Sequence, residues 1–417
     1  MSKNEYSAVI LGAGVAGLSC ARSLHDAGYD ALVVDGDEKI GGRLQTDIID
    51  GYRFDRGFQV LQTAYPAARD MLDYDALQLQ SFPAGTRIRA DNRFHLLADP
   101  RRSPRHILQT LRAGIGNVKD RLLLAKLARH VGIMPLEQLF TAEEALVEQY
   151  LSEYGFSRAM IDKFFKPFMT GICLDPQIRV TSRFLLFVLR MFAQGDAAIP
   201  ALGMGEIPRQ LAASIPKEHI LCNTRVRTLE GKNILLEDYT TITARAVIVA
   251  TSGPEAGRLL QKPFTSQSCS ELCFYYSTDR PPVKEPFLIL NGQGDGVINS
   301  VNFPSMVAKE YAPEGKVLIS VVVPGYGEQN RKAIEQTVAK ELHQWFGGQV
   351  NDWDPLRSYA IEHALPRPIP PSPNPFTAKY HLGDGIFTCS ELITMPSIQW
   401  ALHSGKHTAT EVIDYLN

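Results

Sequence analysis

The apolar residues near the start of the chain follow two different spacings. Residues 8–11 form an unbroken apolar run that is typical of a buried parallel strand, and residues 18–24 then place Leu and Ala at helical spacing. Residues 31–34 form a second apolar run, which ends at Asp35. The pattern therefore predicts a strand, a helix and a second strand, the first unit of an α/β domain with a parallel sheet.

The pattern changes twice in the rest of the chain. Residues 101–195 carry most of their apolar residues at helical spacing, which predicts a long helical insertion. Residues 269–323 contain several strand-like runs, which are typical of a sheet that forms the floor of a pocket. Residues 385–389 predict one more strand, and residues 396–416 predict a helix that opens at a Pro-Ser pair.

The first strand-to-helix turn contains a G-x-G-x-x-G motif. Gly12 permits the tight turn, Gly14 lets a pyrophosphate approach the backbone, and Gly17 lets the helix pack on the strand. The N-terminus of the helix offers N–H groups to phosphates, and the Asp35 carboxylate can accept the hydroxyls of a ribose. The unit therefore predicts a dinucleotide site with the contacts Gly12, Gly14, Val15, Ala16, Gly17, Asp35 and Gly36.

A second glycine motif indicates which dinucleotide is bound. Gly41, Gly42 and Arg43 lie shortly after the acidic strand end and are not part of the nicotinamide fingerprint. This G-G-R sequence resembles the second phosphate-side motif of the superfamily of FAD-dependent oxidoreductases that contains the flavin amine oxidases, the protoporphyrinogen oxidases and the phytoene desaturases. The two glycines would let the backbone pass close to the cofactor, and Arg43 would add a fixed positive charge near the pyrophosphate. The resemblance implies FAD and a bacterial branch of this superfamily.

Residues 51–62 resemble the D-x-G segment that these flavoproteins place beside the isoalloxazine ring. Asp55 begins the segment in this chain, and the residues implied to lie beside the flavin are Gly57, Phe58, Gln59 and Val60. Taken without the resemblance, the alternating pattern of 51–62 fits a strand of a plain β-hairpin equally well.

The end of the chain resembles the terminal motif of the same superfamily, in which a glycine-acid pair precedes a helix whose N-terminus points at the flavin. Ser390 and Glu391 replace the usual glycine and aspartate, and Glu391 can still hydrogen-bond a ribityl or phosphate-side group. A helix N-terminus would stabilise the negative charge of a reduced flavin. The contacts implied for this part of the site are Ser390, Glu391, Ser397, Ile398 and Gln399. Elsewhere the resemblance implies a backbone contact to adenine at Val226, in a predicted hairpin, and cofactor contacts at Ala250 and Thr251, at the end of a predicted buried strand.

The resemblance also implies the architecture and the mode of flavin binding. We expect an α/β fold with a Rossmann-like FAD-binding domain of the glutathione-reductase type, an inserted α+β substrate domain and a helical cap. The FAD-binding domain is expected over residues 1–85, 200–260 and 376–417, and the substrate-binding domain over 86–199 and 261–375. Members with covalent flavin carry a cysteine near the last helix, where this chain has Thr-Met-Pro-Ser, so non-covalent FAD is implied.

Composition excludes several other classes of protein. The net charge of −2 gives no global attraction to nucleic acid. The six cysteines form no C-x-x-C pair, which disfavours a metal cluster or a disulfide framework and suits a reducing cytosol. No apolar run approaches the length that spans a bilayer, and residues 1–7 leave no room for a signal peptide before the first strand. We therefore expect a cytoplasmic protein with no metal site.

Residues 101–130 carry an unusual charge pattern. They contain eight Lys or Arg against one acid, Asp120, interleaved with leucines. An amphipathic basic face of this kind can settle on an anionic membrane, although a solvated helical face explains the pattern more simply. Peripheral membrane contact through this region is therefore a hypothesis.

The resemblance implies that a substrate hydride passes to flavin N5, which requires orientation and exclusion of water but no catalytic triad or metal. No catalytic side chain is assigned. Amine oxidases often hold a lysine near N5 through water, and neither Lys166 nor any other lysine is identified with that role. We expect a dehydrogenase or desaturase that acts on a small hydrophobic substrate, with oxygen or a quinone as electron acceptor. Three alternatives remain open: an amine oxidase that releases peroxide, a redox-neutral isomerase and an FAD-stabilised binding protein without turnover.

Overall fold

The computed structural model describes residues 5–262, 268–325, 330–391 and 393–417. In chain order, the strands are β1 (Glu5–Leu11), β2 (Ala31–Val34), β3 (Thr46–Ile49), β4 (Tyr52–Asp55), β5 (Leu61–Gln62), β6 (Gln80–Ser81), β7 (Gly85–Ala90), β8 (Arg93–Ala98), β9 (Ala197–Ile199), β10 (Ile220–Leu221), β11 (Val226–Glu230), β12 (Asn233–Leu236), β13 (Thr241–Val249), β14 (Ser268–Thr278), β15 (Leu288–Asn291), β16 (Ser300–Asn302), β17 (Val317–Pro324), β18 (Asp354–Pro366), β19 (His381–Gly383) and β20 (Ile386–Thr388).

The predicted helices are present in the N-terminal unit, in the insertion and at the C-terminus. In chain order, the helices are α1 (Val15–Asp26), α2 (Pro66–Met71), α3 (Tyr74–Leu77), α4 (Ile107–Arg112), α5 (Val118–Ile133), α6 (Leu136–Leu139), α7 (Val147–Tyr154), α8 (Arg158–Met160), α9 (Lys166–Cys173), α10 (Ser182–Gln194), α11 (Glu206–Ala212), α12 (Gly253–Leu260), α13 (Pro304–Val307), α14 (Arg331–Phe346) and α15 (Ile398–Leu416).

The apolar run at 8–11 lies in the centre of an eight-stranded sheet. Its strands follow the order β10-β2-β1-β13-β12-β11, and β20 with β19 extends from β13. β1 pairs in parallel with β2 and with β13, which also pairs in parallel with β20. Alternate residues of β1 enter two different apolar cores, one formed with α1 and α15 and the other with α12. Burial on both faces explains why the sequence shows an unbroken apolar run here.

The last helix packs closely on the first. A Cβ atom at Gly405 of α15 would lie 2.2 Å from the carbonyl oxygen of Ala16 in α1, so only glycine permits this approach. Ser19 of α1 donates a hydrogen bond from its hydroxyl to the Leu402 carbonyl at 2.8 Å. The first glycine motif and the terminal segment are therefore held on the same side of the sheet.

A second sheet contains seven strands in the order β18-β14-β17-β16-β15-β7-β8, all antiparallel except the β15–β7 pair. One face packs against α14, where Leu272 and Phe274 of β14 join the apolar core of that helix. Because side chains alternate along a strand, Glu271 and Cys273 face the other way. The mixed α/β fold is confirmed. The division into FAD-binding and substrate-binding domains stays a prediction, although the two sheets draw their strands from separate parts of the chain.

Candidate cofactor site

A cavity of about 1550 Å³ lies between the two sheets and the helices of the insertion. Most residues that the sequence assigns to the cofactor line this cavity, although they come from distant parts of the chain. They are Gly12, Gly14, Val15, Ala16, Asp35, Gly36, Gly41, Gly42, Arg43, Phe58, Gln59, Val60, Val226, Ala250, Thr251, Ser390, Glu391, Ser397 and Ile398.

Three residues assigned to the cofactor are not on the cavity wall. A Cβ atom at Gly17 would lie 2.0 Å from the Gly12 carbonyl oxygen, so Gly17 permits close packing of the helix, as the motif predicts. Gly57 has a φ of +92°, and a Cβ atom built on it would lie 3.3 Å from the carboxylate oxygens of Glu271. Gln399 is buried and accepts a hydrogen bond from the Ala67 N–H at 2.8 Å, which fixes the start of α2 against α15.

The two glycine motifs meet at the N-terminus of α1. Gly12 has a φ of +113°, and its Cβ would lie 2.8 Å from the Ala250 carbonyl oxygen, so both the turn and the contact require glycine. No atom lies within 4 Å of a Cβ built on Gly14, which opens onto the cavity. The Gly41 N–H donates to the Ala13 carbonyl at 2.8 Å and holds the second motif beside the first.

The N-terminus of α1 is suited to bind an anion. The first turn contains no acidic residue, and no side chain caps it, so its N–H groups are available to a ligand. Asp35 lies beside this turn and accepts hydrogen bonds from the Ala13 N–H at 2.5 Å and the Asp37 N–H at 2.8 Å. Burial raises the pKa of the Asp35 carboxyl. A carboxylate has about four acceptor positions, so the two bonds leave capacity for ribose hydroxyls.

Arg43 and Glu391 form an ion pair across the cavity wall. The Arg43 guanidinium also donates from Nη1 to the Ala364 carbonyl at 2.6 Å. Desolvation lowers the pKa of Arg43 to about 10, so the guanidinium remains charged at neutral pH. The second glycine motif is therefore tied to the segment that precedes α15.

Asp55, the first residue of the D-x-G segment, is a buried structural centre. Its carboxylate accepts hydrogen bonds from the Thr46 hydroxyl at 2.5 Å, the Tyr311 hydroxyl at 2.7 Å and the Met204 N–H at 2.9 Å. Burial nevertheless raises the pKa of Asp55 to about 6. Asp55 thus ties the start of the segment that brings Phe58, Gln59 and Val60 to the cavity to the paired strand β3 and to two distant parts of the chain.

Glu271 is a cavity residue that sequence reasoning missed. It lies on β14, is 5% exposed, and accepts a hydrogen bond from the Phe58 N–H to Oε1 at 3.0 Å. Burial raises the pKa of its carboxyl to about 7. A signal was available, because Glu271 is the one charged residue within the sequence of β14. No lysine, Lys166 included, is among the described residues that line the cavity.

The comparison with known protein families decides the assignment. Residues 15–413 match the family described as flavin containing amine oxidoreductase. The chain belongs to this family. The resemblance drawn from the glycine motifs is thereby confirmed, and the expectation of a flavin-dependent oxidoreductase is confirmed at the level of the family.

Curated relatives match only short parts of the chain. The chain is 32% identical over 84 residues to 4,4'-diapolycopene oxygenase of Methylomonas sp, which is 18% of this chain and 17% of that protein. It is 37% identical over 57 residues to polyamine oxidase 2 of Arabidopsis thaliana, which is 14% of this chain and 12% of that protein. The matches therefore span less than a fifth of these relatives.

Solved structures share the fold over nearly the whole chain. An oxidoreductase from Methanosarcina mazei has a TM-score of 0.73 at 17% identity, with 98% of this chain and 99% of that chain covered. Putrescine oxidase bound to putrescine has a TM-score of 0.68 at 15% identity, with 98% and 99% covered. At these identities, the likeness extends to the fold and no further.

The flavin expected of this family fits the polar groups of the cavity. Gln59 Oε1, Gln62 Oε1 and Thr251 Oγ1 are buried on the cavity wall, and none has a hydrogen-bond partner within the described chain. Buried polar atoms normally have partners, so these oxygens fit a polar group that fills the cavity. The N-terminus of α15 reaches the same space through Ser397 and Ile398, and its first turn contains no acid. The donor and acceptor set therefore suits a dinucleotide with a polar ring.

Proposed function

We propose that the chain binds FAD non-covalently in the cavity and uses it to remove a hydride from a small hydrophobic substrate. The observation that carries this proposal is the cavity itself, which joins both glycine motifs and the N-terminus of α15 to an apolar compartment. Hydride transfer needs a held substrate and little water rather than a particular side chain. These features support a dehydrogenase or desaturase activity.

The residues on the wall suggest how the cofactor would be held. The N-terminus of α1 and Arg43 would bind the pyrophosphate, with Asp35 on the ribose side. Segment 58–60 and the N-terminus of α15 would contact the ring, where a helix N-terminus stabilises negative charge. No cysteine is found among the described residues that line the cavity, which supports non-covalent binding.

The far part of the cavity supports an apolar substrate. Two aromatic pairs close it, with the Phe168 ring centroid 5.4 Å from both Phe164 and Phe192. The neighbouring Phe165 does not line the cavity, and neither do Tyr275 and Tyr276 of β14. The apolar wall includes Leu124, Phe164, Phe168, Leu174, Phe184, Val188, Met191 and Phe192.

Reoxidation of the reduced protein distinguishes the proposed activity from its alternatives. The purified protein is photoreduced without oxygen and its reoxidation is timed when air is admitted. Slow reoxidation supports a dehydrogenase or desaturase that passes electrons to a quinone or another carrier. Fast reoxidation with release of peroxide supports an oxygen-using amine oxidase instead. An isomerase would turn over substrate only while reduced, and a binding protein would show no turnover in either state.

We further propose that α4 and α5 contact an anionic membrane. Their exposed apolar side chains include Leu108 at 65%, Val118 at 66% and Leu122 at 67% exposure. Cationic residues flank them, and the same two helices contribute Leu111, Leu124 and other residues to the cavity wall. A basic amphipathic surface beside the cavity mouth could take a lipophilic substrate from the bilayer. In the described chain, no helix is both long and apolar enough to cross a membrane.

The location of the protein stays a prediction. The six cysteines are free, which agrees with a reducing compartment such as the cytoplasm.

A further inference from the structure

Glu271 lies at the junction of the second sheet and the segment expected beside the flavin ring. Its neighbours across β14 are Pro324 on β17 and Ile361 on β18. The Phe58 N–H donates a hydrogen bond to Oε1 of Glu271. The other carboxylate oxygen, Oε2, has no hydrogen-bond partner in the parts of the chain that the structure describes. Since Glu271 lines the cavity, this oxygen is available to a ligand.

The surroundings of Glu271 are mainly apolar. Phe58, Ile361 and Leu174 belong to one small apolar cluster on this side of β14. A carboxylate in apolar surroundings has lost its hydration, so a hydrogen-bond donor or a cation stabilises it strongly. Charged or titratable groups on the same cavity wall include Arg43, Arg56, His363 and Glu391, and Cys273 interacts electrostatically with Glu271 from the same strand. Arg43 and Glu391 already pair with each other.

We propose that Glu271 Oε2 accepts the proton that leaves the substrate when its C–H hydride is removed. The substrate would carry an N–H or O–H group on the carbon that is oxidised. The carbon loses its hydrogen with two electrons to the flavin, the N–H or O–H proton passes to Oε2, and the freed electron pair forms the C=N or C=O bond. The inference rests on the proposed function and specifies its substrate class as apolar amines or alcohols rather than hydrocarbons.

The protonation behaviour of Glu271 suits this role. Burial raises its pKa to about 7, and the Phe58 N–H partly offsets this effect. A proton acceptor works best when its pKa lies near the working pH, because it is then both available and basic. A hydrogen-bond donor bound at Oε2 would favour the ionised carboxylate further.

Binding of a small ligand that cannot be oxidised tests the proposal without turnover. FAD-loaded protein is titrated with 1-methylcyclohexylamine and with 1-methylcyclohexanol, whose substituted carbon carries no hydrogen, and binding is followed by calorimetry and by the flavin absorption band. The amine stays protonated from about pH 5.5 to about pH 8.5, so only the protein changes charge. With a carboxyl pKa of about 7, affinity for the amine should rise about 30-fold over this range. Affinity for the alcohol should change much less, because the alcohol carries no charge.

Three variants assign the effect to this carboxyl. Glu271→Gln keeps an oxygen for the Phe58 N–H but cannot ionise, and it should remove the pH dependence of binding of 1-methylcyclohexylamine. Glu271→Asp keeps a carboxyl and should retain a rise with pH. Glu341→Gln is the matched control, because Glu341 is also a buried glutamate that accepts backbone N–H groups, from Val297 and Ile298, but lies outside the cavity.

Two results would overturn the inference. One is a wild-type protein that binds FAD but shows no pH dependence for 1-methylcyclohexylamine, and the other is a Glu271→Gln variant that keeps the full dependence. Failure of the wild-type protein to bind FAD is a separate result, which would overturn the proposed function and this inference with it.

Discussion

Arg43 and Glu391 are 348 positions apart in the chain and form an ion pair on the wall of the cavity. Arg43 belongs to the second glycine motif, and Glu391 precedes the helix whose N-terminus reaches the cavity. In the binding mode that we propose, the pair would join the phosphate side of the site to its ring side. Glu391 would then partly neutralise the positive charge that Arg43 offers to the pyrophosphate.

Removal of Arg43 should weaken FAD binding more than neutralisation of Glu391. Arg43→Ala leaves an unpaired carboxylate near the pyrophosphate, and we expect FAD affinity to fall about 10- to 100-fold, as for loss of a charge-assisted hydrogen bond. Glu391→Gln keeps an acceptor for Arg43 and should change affinity only slightly. Fluorescence titration with FAD measures both. Arg209→Ala, which breaks the exposed pair with Glu206, is the control. Equal affinities in Arg43→Ala and wild-type protein would contradict the assignment.

Gly12 and Gly14 should respond differently to a side chain. Gly14→Val places its side chain in open cavity, so folding should be preserved while FAD affinity falls at least about tenfold. Gly12→Ala meets the Ala250 carbonyl and an unfavourable φ, and should cost about 1–3 kcal/mol of stability. Thermal unfolding and FAD titration separate the two effects. Gly348→Val is the control, because its Cβ also meets no atom within 4 Å. A Gly14→Val variant with normal FAD affinity would count against the site.

Glu271 should make stability depend on pH. Its pKa is raised by burial to about 7, above its value in the unfolded chain, so the folded state holds this proton more tightly. The stabilisation is complete below about pH 4.5 and is lost as the pH rises through about 7.

Glu271→Gln should therefore gain stability relative to wild-type protein as the pH rises, by at most about 3 kcal/mol. Urea unfolding at several pH values, with equal flavin content in each sample, measures this difference. Glu335→Gln, at an exposed glutamate of α14, should show no such trend. A constant difference between Glu271→Gln and wild-type protein would show that the carboxyl is not buried as described.

The exposed leucines of α4 and α5 should control membrane binding. We expect Leu108→Ser with Leu122→Ser to reduce flotation with phosphatidylglycerol vesicles at least about tenfold, because each buried leucine contributes about 1.5–3 kcal/mol. Leu382→Ser, at a half-exposed leucine of β19, is the control. If the wild-type protein does not float with these anionic vesicles, the membrane contact is wrong.

The elements that local sequence determines were predicted well. The strand, turn and helix around Gly12 were recognised because the glycine positions and the apolar runs lie within a short stretch. The helix at the C-terminus was recognised for the same reason, and Ser397 caps it by accepting a hydrogen bond from the Trp400 N–H. Only the sheet order and the packing of α15 on α1 then bring these local units to one cavity.

The parts that depend on distant contacts were not predictable from the motifs. Arg43 and Glu391 were each expected to contact the cofactor, and their pairing follows from the fold. Asp55 was read as part of a flavin-side segment, and its hydrogen bonds to distant residues make it an anchor. Glu271 was missed because a single charge in an apolar strand indicates burial only when the neighbouring strands are known.

Reconstitution with FAD tests the central claim most directly. The purified protein is freed of flavin, titrated with FAD, and then precipitated with acid to determine where the flavin goes. We predict binding of one FAD per chain, a resolved flavin absorption band, loss of binding in Gly14→Val, and release of all flavin into the supernatant. A protein that stays colourless and cannot be reconstituted with FAD would contradict the account.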